Sequence, residues 1–67
     1  MNADRSLYDL IEEYVAMHEP CYQTDILKAF SLAYSKPYIK VTCKRLWEDA
    51  RIYRKKQGAT YIITIWR

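Results

Sequence analysis

The sequence is short of the residues on which many functional sites depend. It has one glycine, two prolines, two cysteines and one histidine in 67 residues. A single glycine excludes a glycine-rich loop of the kind that cradles phosphates. Because 51% of the residues are apolar and glycine and proline are rare, the composition is that of a folded domain rather than a disordered chain. At this length we expect one domain spanning residues 1–67, with a thin core.

The two cysteines, Cys21 and Cys43, are too few for a disulfide scaffold and lack the paired spacing of a zinc ribbon. We expect both to be reduced thiols in the core. A metal site would have to combine His18 with the two cysteines and an acid, and no second close pair of strong ligands completes such a set. We therefore expect neither a metal nor another cofactor.

The sequence also lacks the usual signals of membrane association and of catalysis. No apolar run approaches the length of a membrane span, and the first residues are acidic where a secretory signal needs basic ones, so we expect an intracellular protein. No signature links the single histidine to a serine or cysteine nucleophile, and Glu12 with Glu13 fits the wet face of a helix. The sequence therefore predicts a protein that is not an enzyme.

Charge is abundant, and it is unevenly distributed. Residues 1–25 carry six acids against Arg5, a net charge of −5, whereas residues 26–67 carry ten bases against two acids, a net charge of +8. One part of such a chain repels polyanions and the other attracts them. This division is expected of a domain that docks on nucleic acid in a fixed orientation.

Hydrophobic periodicity predicts two helices in the first half of the chain. Apolar residues recur at helical spacing from about Asp4 to Met17, and Pro20 stops that helix. A short extended piece over residues 21–23 follows, and Thr24 can cap a second helix. The predicted buried side of the second helix consists of Ile26, Leu27, Ala29 and Phe30.

A third helix and a hairpin are predicted in the second half. Ser35, Lys36 and Pro37 form a typical cap and first turn, and the buried stripe that follows consists of Ile39, Cys43, Leu46 and Ala50. Residues 52–54 and 61–66 are rich in β-branched and aromatic side chains, which favour strands. The intervening residues 55–60 predict a loop with a basic tip, in which Gly58 can take a positive φ.

The predicted order of elements is helix, short strand, helix, turn, helix and hairpin. This order resembles that of the winged helix-turn-helix superfamily. The resemblance covers Leu7 to Trp66 and is most specific over residues 35–52, where a polar start precedes the buried positions of the third helix and a turn leads into the first strand of the wing. It implies an α+β fold of three helices followed by a C-terminal β-hairpin wing. Family members often have glycine between the second and third helices and before the wing, where this chain has residues 31–34 and Ala50.

The resemblance implies a sequence-specific protein that binds double-stranded DNA, a small transcriptional regulator such as a repressor, of a prokaryotic, viral or plasmid genome. The third helix would enter the major groove, and the basic hairpin would lie on the backbone or in a minor groove. We expect no small-molecule effector. The residues expected to contact DNA are Lys36, Tyr38, Lys40, Val41, Lys44 and Arg45 in the third helix, Arg54, Lys55, Lys56 and Gln57 in the hairpin, and Thr24 at the start of the second helix.

Several alternatives stay open at this point. Tyr38 can equally pack on the second helix, and Trp47 and Trp66 can be core residues or part of a contact with a second subunit, so that homodimer and monomer are both compatible with the sequence. A protein-binding winged helix, which would modify a host complex through its acidic first helix or its aromatics, is the main rival. An architectural role in recombination would use the same DNA contacts as a regulator.

Overall fold

The structure, a computed structural model, describes residues 6–67. Within these residues the chain is α+β, with three helices and one three-stranded antiparallel sheet. None of the helices in this part of the chain is long and apolar enough to cross a membrane. In chain order the elements are α1 (Leu7–His18), β1 (Cys21–Tyr22), α2 (Gln23–Phe30), α3 (Lys36–Glu48), β2 (Ile52–Gln57) and β3 (Thr60–Ile65).

Helix α1 begins where a serine can satisfy a backbone donor. The Ser6 Oγ accepts a hydrogen bond from the Asp9 N–H at 3.2 Å, so Ser6 is the N-cap and the helix starts at Leu7. The start predicted at Asp4 lies outside the described residues. Helix α1 packs its apolar side on the rest of the domain, and its buried residues are Leu7, Ile11 and Val15.

Two predictions for α2 are wrong. The helix begins at Gln23, because the Asp25 carboxylate accepts a hydrogen bond from the Tyr22 N–H at 3.1 Å, and Thr24 is therefore an exposed first-turn residue instead of the cap. Ala29, expected in the core, is exposed. The packed side is set by the buried Ile26 and the partly buried Leu27 and Phe30, and Ala29 falls to one flank of it.

Helix α3 starts as predicted. The Ser35 Oγ accepts a hydrogen bond from the Tyr38 N–H at 3.4 Å, and Pro37 occupies the first turn, where its missing N–H costs nothing. The buried residues include Ile39 and Leu46, as expected. Thr42 is buried as well, and its hydroxyl donates to the Tyr38 carbonyl oxygen at 2.8 Å.

The end of α3 corrects the prediction for Ala50. The helix stops at Glu48, and the Ala50 N–H then donates to the Trp47 carbonyl while the Arg51 N–H donates to the Leu46 carbonyl, at 3.0 and 2.9 Å. This pair of bonds is a Schellman motif, which requires a left-handed residue at the position Ala50 occupies. Ala50 accordingly has a φ of 58° and is exposed, so it does not extend the buried stripe.

The sheet has the order β1-β3-β2, so β3 is the central strand. Strands β2 and β3 pair from Ile52 opposite Ile65 to Gln57 opposite Thr60, which leaves a turn of only two residues. The predicted six-residue loop is therefore wrong, because residues 55–57 find backbone partners in β3 and remain extended. Gly58 is the first turn residue and has a φ of 61°, which a two-residue turn of type II′ requires at that position.

One core holds the helices against one face of the sheet. It receives buried apolar side chains from α1, β1, α2, α3, β2 and β3. The core residues are Leu7, Ile11, Val15, Cys21, Ile26, Ile39, Cys43, Leu46, Ile52 and Ile63. Within residues 6–67 the helices pack on this face alone, and side chains of the other face such as Tyr53 are exposed.

Candidate nucleic-acid interface

Three lysines form a row along α3. Lys36, Lys40 and Lys44 recur every four residues, a spacing that places side chains one above another on a helix, and all three are exposed. The buried Ile39 and Leu46 lie on the side of α3 that faces the core. With a rise of about 1.5 Å per residue, the row spans roughly 12 Å of the helix axis. We call these three residues the lysine row.

The other expected α3 residues lie beside the row. Val41 is 64% exposed and lies near the middle of the outward side. Tyr38 and Arg45 lie on the flank next to α1, where they line a groove of about 600 Å³ together with Tyr8 and Asp49. Tyr38 is half exposed, and its ring lies 5.8 Å from that of Tyr34 in the connection after α2, so it both packs and remains accessible.

A second groove lies between α2 and the start of α3. It measures about 240 Å³ and is lined by Thr24, Lys28, Ser31 and Lys36, with Leu27 at its apolar side. The structure thereby brings Thr24 close to the lysine row. Lys28 is a member of this group that the sequence analysis missed, although its exposure could have been inferred from its place opposite the buried side of α2.

The hairpin bases divide between two faces. Successive side chains of a strand point to opposite sides, so Arg54 and Lys56 share the face that carries Tyr61, whereas Lys55 and Gln57 project from the other face. The expected basic tip is thus two separate pairs of residues. Lys55, Lys56 and Gln57 are exposed, and Arg54 is partly buried.

Arg54 is held between two aromatic rings. Its guanidinium carbon lies 4.8 Å from the centre of the Trp47 ring on α3 and 4.3 Å from the centre of the Tyr61 ring on β3. The Lys56 ammonium lies 5.6 Å from the same tyrosine ring. Both distances for Arg54 are within the range of cation–π attraction, so this residue connects the hairpin to α3. Neither the contact nor its partners could be predicted from the sequence spacing.

Two other arginines are engaged far from the lysine row. Arg51 forms two hydrogen bonds with the Glu12 carboxylate at 2.9 and 3.0 Å, and this contact raises the pKa of the guanidinium. Arg67 makes a similar two-bond contact with Glu19 at 2.8 and 2.6 Å. The same Glu19 carboxylate accepts from the Ile65 N–H, and the bonds from Arg67 and Ile65 lower its pKa.

The uncovered face of the sheet carries aromatic side chains. Tyr53 and Trp66 are 49% and 46% exposed, and their ring centres lie 5.9 Å apart. They line a groove of about 330 Å³ with Thr64 and Ile65. Tyr22, at the other edge of the sheet, is 41% exposed. None of these three aromatic residues lines either of the grooves beside α3 that contain Lys36 or Arg45.

The cysteines lie in the core as free thiols, as predicted. Cys21 and Cys43 are both buried, and burial raises the pKa of each to about 11, so both thiols are protonated at neutral pH. His18 stacks on Tyr14 with ring centres 4.3 Å apart. Residues 6–67 contain no group of three metal-ligating side chains.

Comparison with protein-family models, with curated proteins and with solved structures finds no match for this chain. The chemistry of the surface around α3 is nevertheless clear from its residues. It offers ammonium and guanidinium groups, the hydroxyls of Thr24 and Tyr38, and the apolar side chain of Val41. Cationic groups, hydroxyls and backbone donors are the groups that contact phosphate oxygens in complexes of proteins with DNA.

Proposed function

We propose that the chain is a small winged helix-turn-helix protein that binds double-stranded DNA sequence-specifically and acts as a transcriptional regulator. The observation that supports this proposal best is the lysine row along α3, which is exposed at all three residues and has basic groups on either side of it. The major groove is about 12 Å wide and admits one helix. A helix lying there faces base edges with its central residues and phosphates with its flanks.

The residues then divide into two roles. Lys40 and Lys44 lie where base edges would be, and lysine donates to guanine O6 and N7, while Val41 can contact a thymine methyl group. The flanking cations are Lys36 at the start of α3, Lys28 on α2, Arg45 on the side of α3 next to α1 and Lys56 on the hairpin, or wing. These flanking residues would contact phosphates, which fix the orientation of the protein and carry no sequence information.

The first test is a fluorescence-anisotropy titration of the protein with random duplex DNA at several salt concentrations. Each neutralised phosphate contributes about −0.9 to the slope of log K against log salt, so the four flanking cations predict a slope of about −3.6. No binding at low salt would refute the proposal. Binding with a slope near zero would mean that the four flanking cations do not contact phosphates.

The second test addresses the assignment of α3 as the reading helix. Selection of binding sites from randomised duplexes should return different sequences for the natural protein and for Lys40→Ala or Lys44→Ala, since these residues are assigned to bases. Lys36→Ala is the matched control from the same row, and it should weaken binding to all sequences alike. Equal and sequence-blind losses from all three variants would contradict the assignment.

The exposed aromatics on the sheet favour a second candidate function, which is binding to a protein. Tyr53, Trp66 and Tyr22 are residue types that dominate the energy of protein interfaces. An interface built on them would depend little on salt, in contrast to DNA binding. A protein partner would be indicated if Tyr53→Ala abolished the regulation of transcription while leaving DNA affinity and its salt dependence unchanged.

A further inference from the structure

We propose that Arg54 is a positioning residue that fixes the wing against the reading helix, rather than a residue that contacts DNA. The expected effect on DNA affinity rests on the proposed function. The role of Arg54 in holding the wing concerns the free protein and does not depend on that function. It differs from the sequence-based expectation, in which Arg54 belongs to a basic tip and meets the DNA backbone.

The surroundings of Arg54 support this role. The side chain is partly buried, whereas its neighbours Tyr53 and Lys55 are exposed. Its guanidinium carbon lies 4.8 Å from the Trp47 ring and 4.3 Å from the Tyr61 ring. A planar guanidinium can stack on aromatic faces in a way that a lysine ammonium cannot, so lysine is expected to be a poor substitute at this position.

The contact lies where it can fix the position of the wing relative to α3. Ile52 is fully buried at the base of β2, and Arg54 lies two residues farther toward the turn on the same face of the strand. Its partner Trp47 follows Lys44 by three residues and Lys40 by seven, so it lies on the same side of α3 as the lysine row. Arg54 therefore sets the distance between that row and Lys56.

A wing held in place before binding loses less conformational freedom when DNA is bound. Loss of the Arg54 contact should consequently weaken binding to every sequence, without removing a phosphate contact. This consequence separates a positioning residue from a contact residue, because only a contact residue changes the number of counterions released.

The DNA test compares Arg54→Met, Arg54→Lys and Lys56→Met by salt-dependent anisotropy. Both Arg54 variants should lose affinity by about fivefold, the size expected for a cation–π contact that is only partly removed from solvent, with the salt slope unchanged. Lys56→Met should reduce the slope by about 0.9. If Arg54→Met reduces the slope by the same amount and Arg54→Lys restores it, Arg54 contacts a phosphate and the inference is overturned.

A second measurement needs no DNA. Backbone ¹⁵N relaxation of the free protein should show greater mobility of residues 55–60 in Arg54→Met than in the natural protein or in Lys56→Met, and the Trp47 indole resonance should shift. Unchanged mobility would overturn the inference whatever the DNA result. Greater mobility in a protein that does not bind DNA would instead refute the proposed function and leave the positioning role of Arg54 intact.

Discussion

Ala50 is the clearest site of backbone strain, and its replacement by glycine should stabilise the protein. It is the left-handed residue of the motif that ends α3, with a φ of 58°. A left-handed conformation costs a residue with a Cβ roughly 1–2 kcal/mol, and glycine does not incur this cost. Glycine loses about 0.5–1 kcal/mol more conformational entropy on folding, so the expected net gain for Ala50→Gly is about 0.5–1 kcal/mol.

The gain can be measured by thermal and urea denaturation followed by circular dichroism. For a domain of this size each kcal/mol shifts Tm by about 4–8 °C, so Ala50→Gly should raise Tm by roughly 2–8 °C. Ala16→Gly, on the exposed side of α1, is the matched control and should cost about 1 kcal/mol, because glycine is a poor helix former. If Ala50→Gly is neutral or destabilising, the reasoning from the left-handed conformation is wrong.

Three further predictions follow from the wing, the pKa values and the core. Lys56→Ala should weaken binding to random duplex DNA and reduce its salt slope by about 0.9, whereas Lys55→Ala, on the opposite face of β2, should leave the slope unchanged. Glu19→Gln should be less stable than the natural protein at pH 7, and the difference should shrink as pH falls below the ordinary value of 4.5, because the natural carboxylate has a lowered pKa and loses its contribution when it is protonated. A pH series of urea denaturation curves for both proteins checks this, and a constant difference would contradict it. Cys43 should react with a thiol reagent only at the rate of global unfolding, since its side chain has no exposed surface, and rapid labelling under native conditions would show that the core opens locally.

The local signals in the sequence were sufficient where one residue type fixes one backbone geometry. Ser35 and Pro37 place the start of α3 correctly, and Gly58 locates the hairpin turn. Periodicity also placed Ile39, Cys43 and Leu46 correctly on the buried side of α3. These features depend on interactions within a few residues of each other, which is the range over which sequence patterns are informative.

The predictions that were wrong concern local structure that depends on contacts with residues distant in the chain. The loop of the hairpin was predicted too long because lysines and glutamine have low strand propensity, and only their pairing with β3 keeps residues 55–57 extended. Ala50 was placed in the buried stripe because alanine rarely adopts a left-handed conformation, so nothing in the sequence indicated one there. Tyr61 is seven residues from Arg54 in the chain, and nothing in the sequence indicates which basic side chain will contact its ring.

The structure also changes the meaning of the charge division. Glu12 pairs with Arg51 and Glu19 with Arg67 across 39 and 48 residues of sequence, so part of the acidic segment is neutralised by part of the basic one. These pairs leave the net charge as it was, but they remove two arginines from the surface that can attract a polyanion. Within residues 6–67 the lysine row forms no such pair. The positive charge that remains is therefore concentrated on α3, on the groove beside α2 and on the hairpin, which is the distribution that the proposed DNA binding requires.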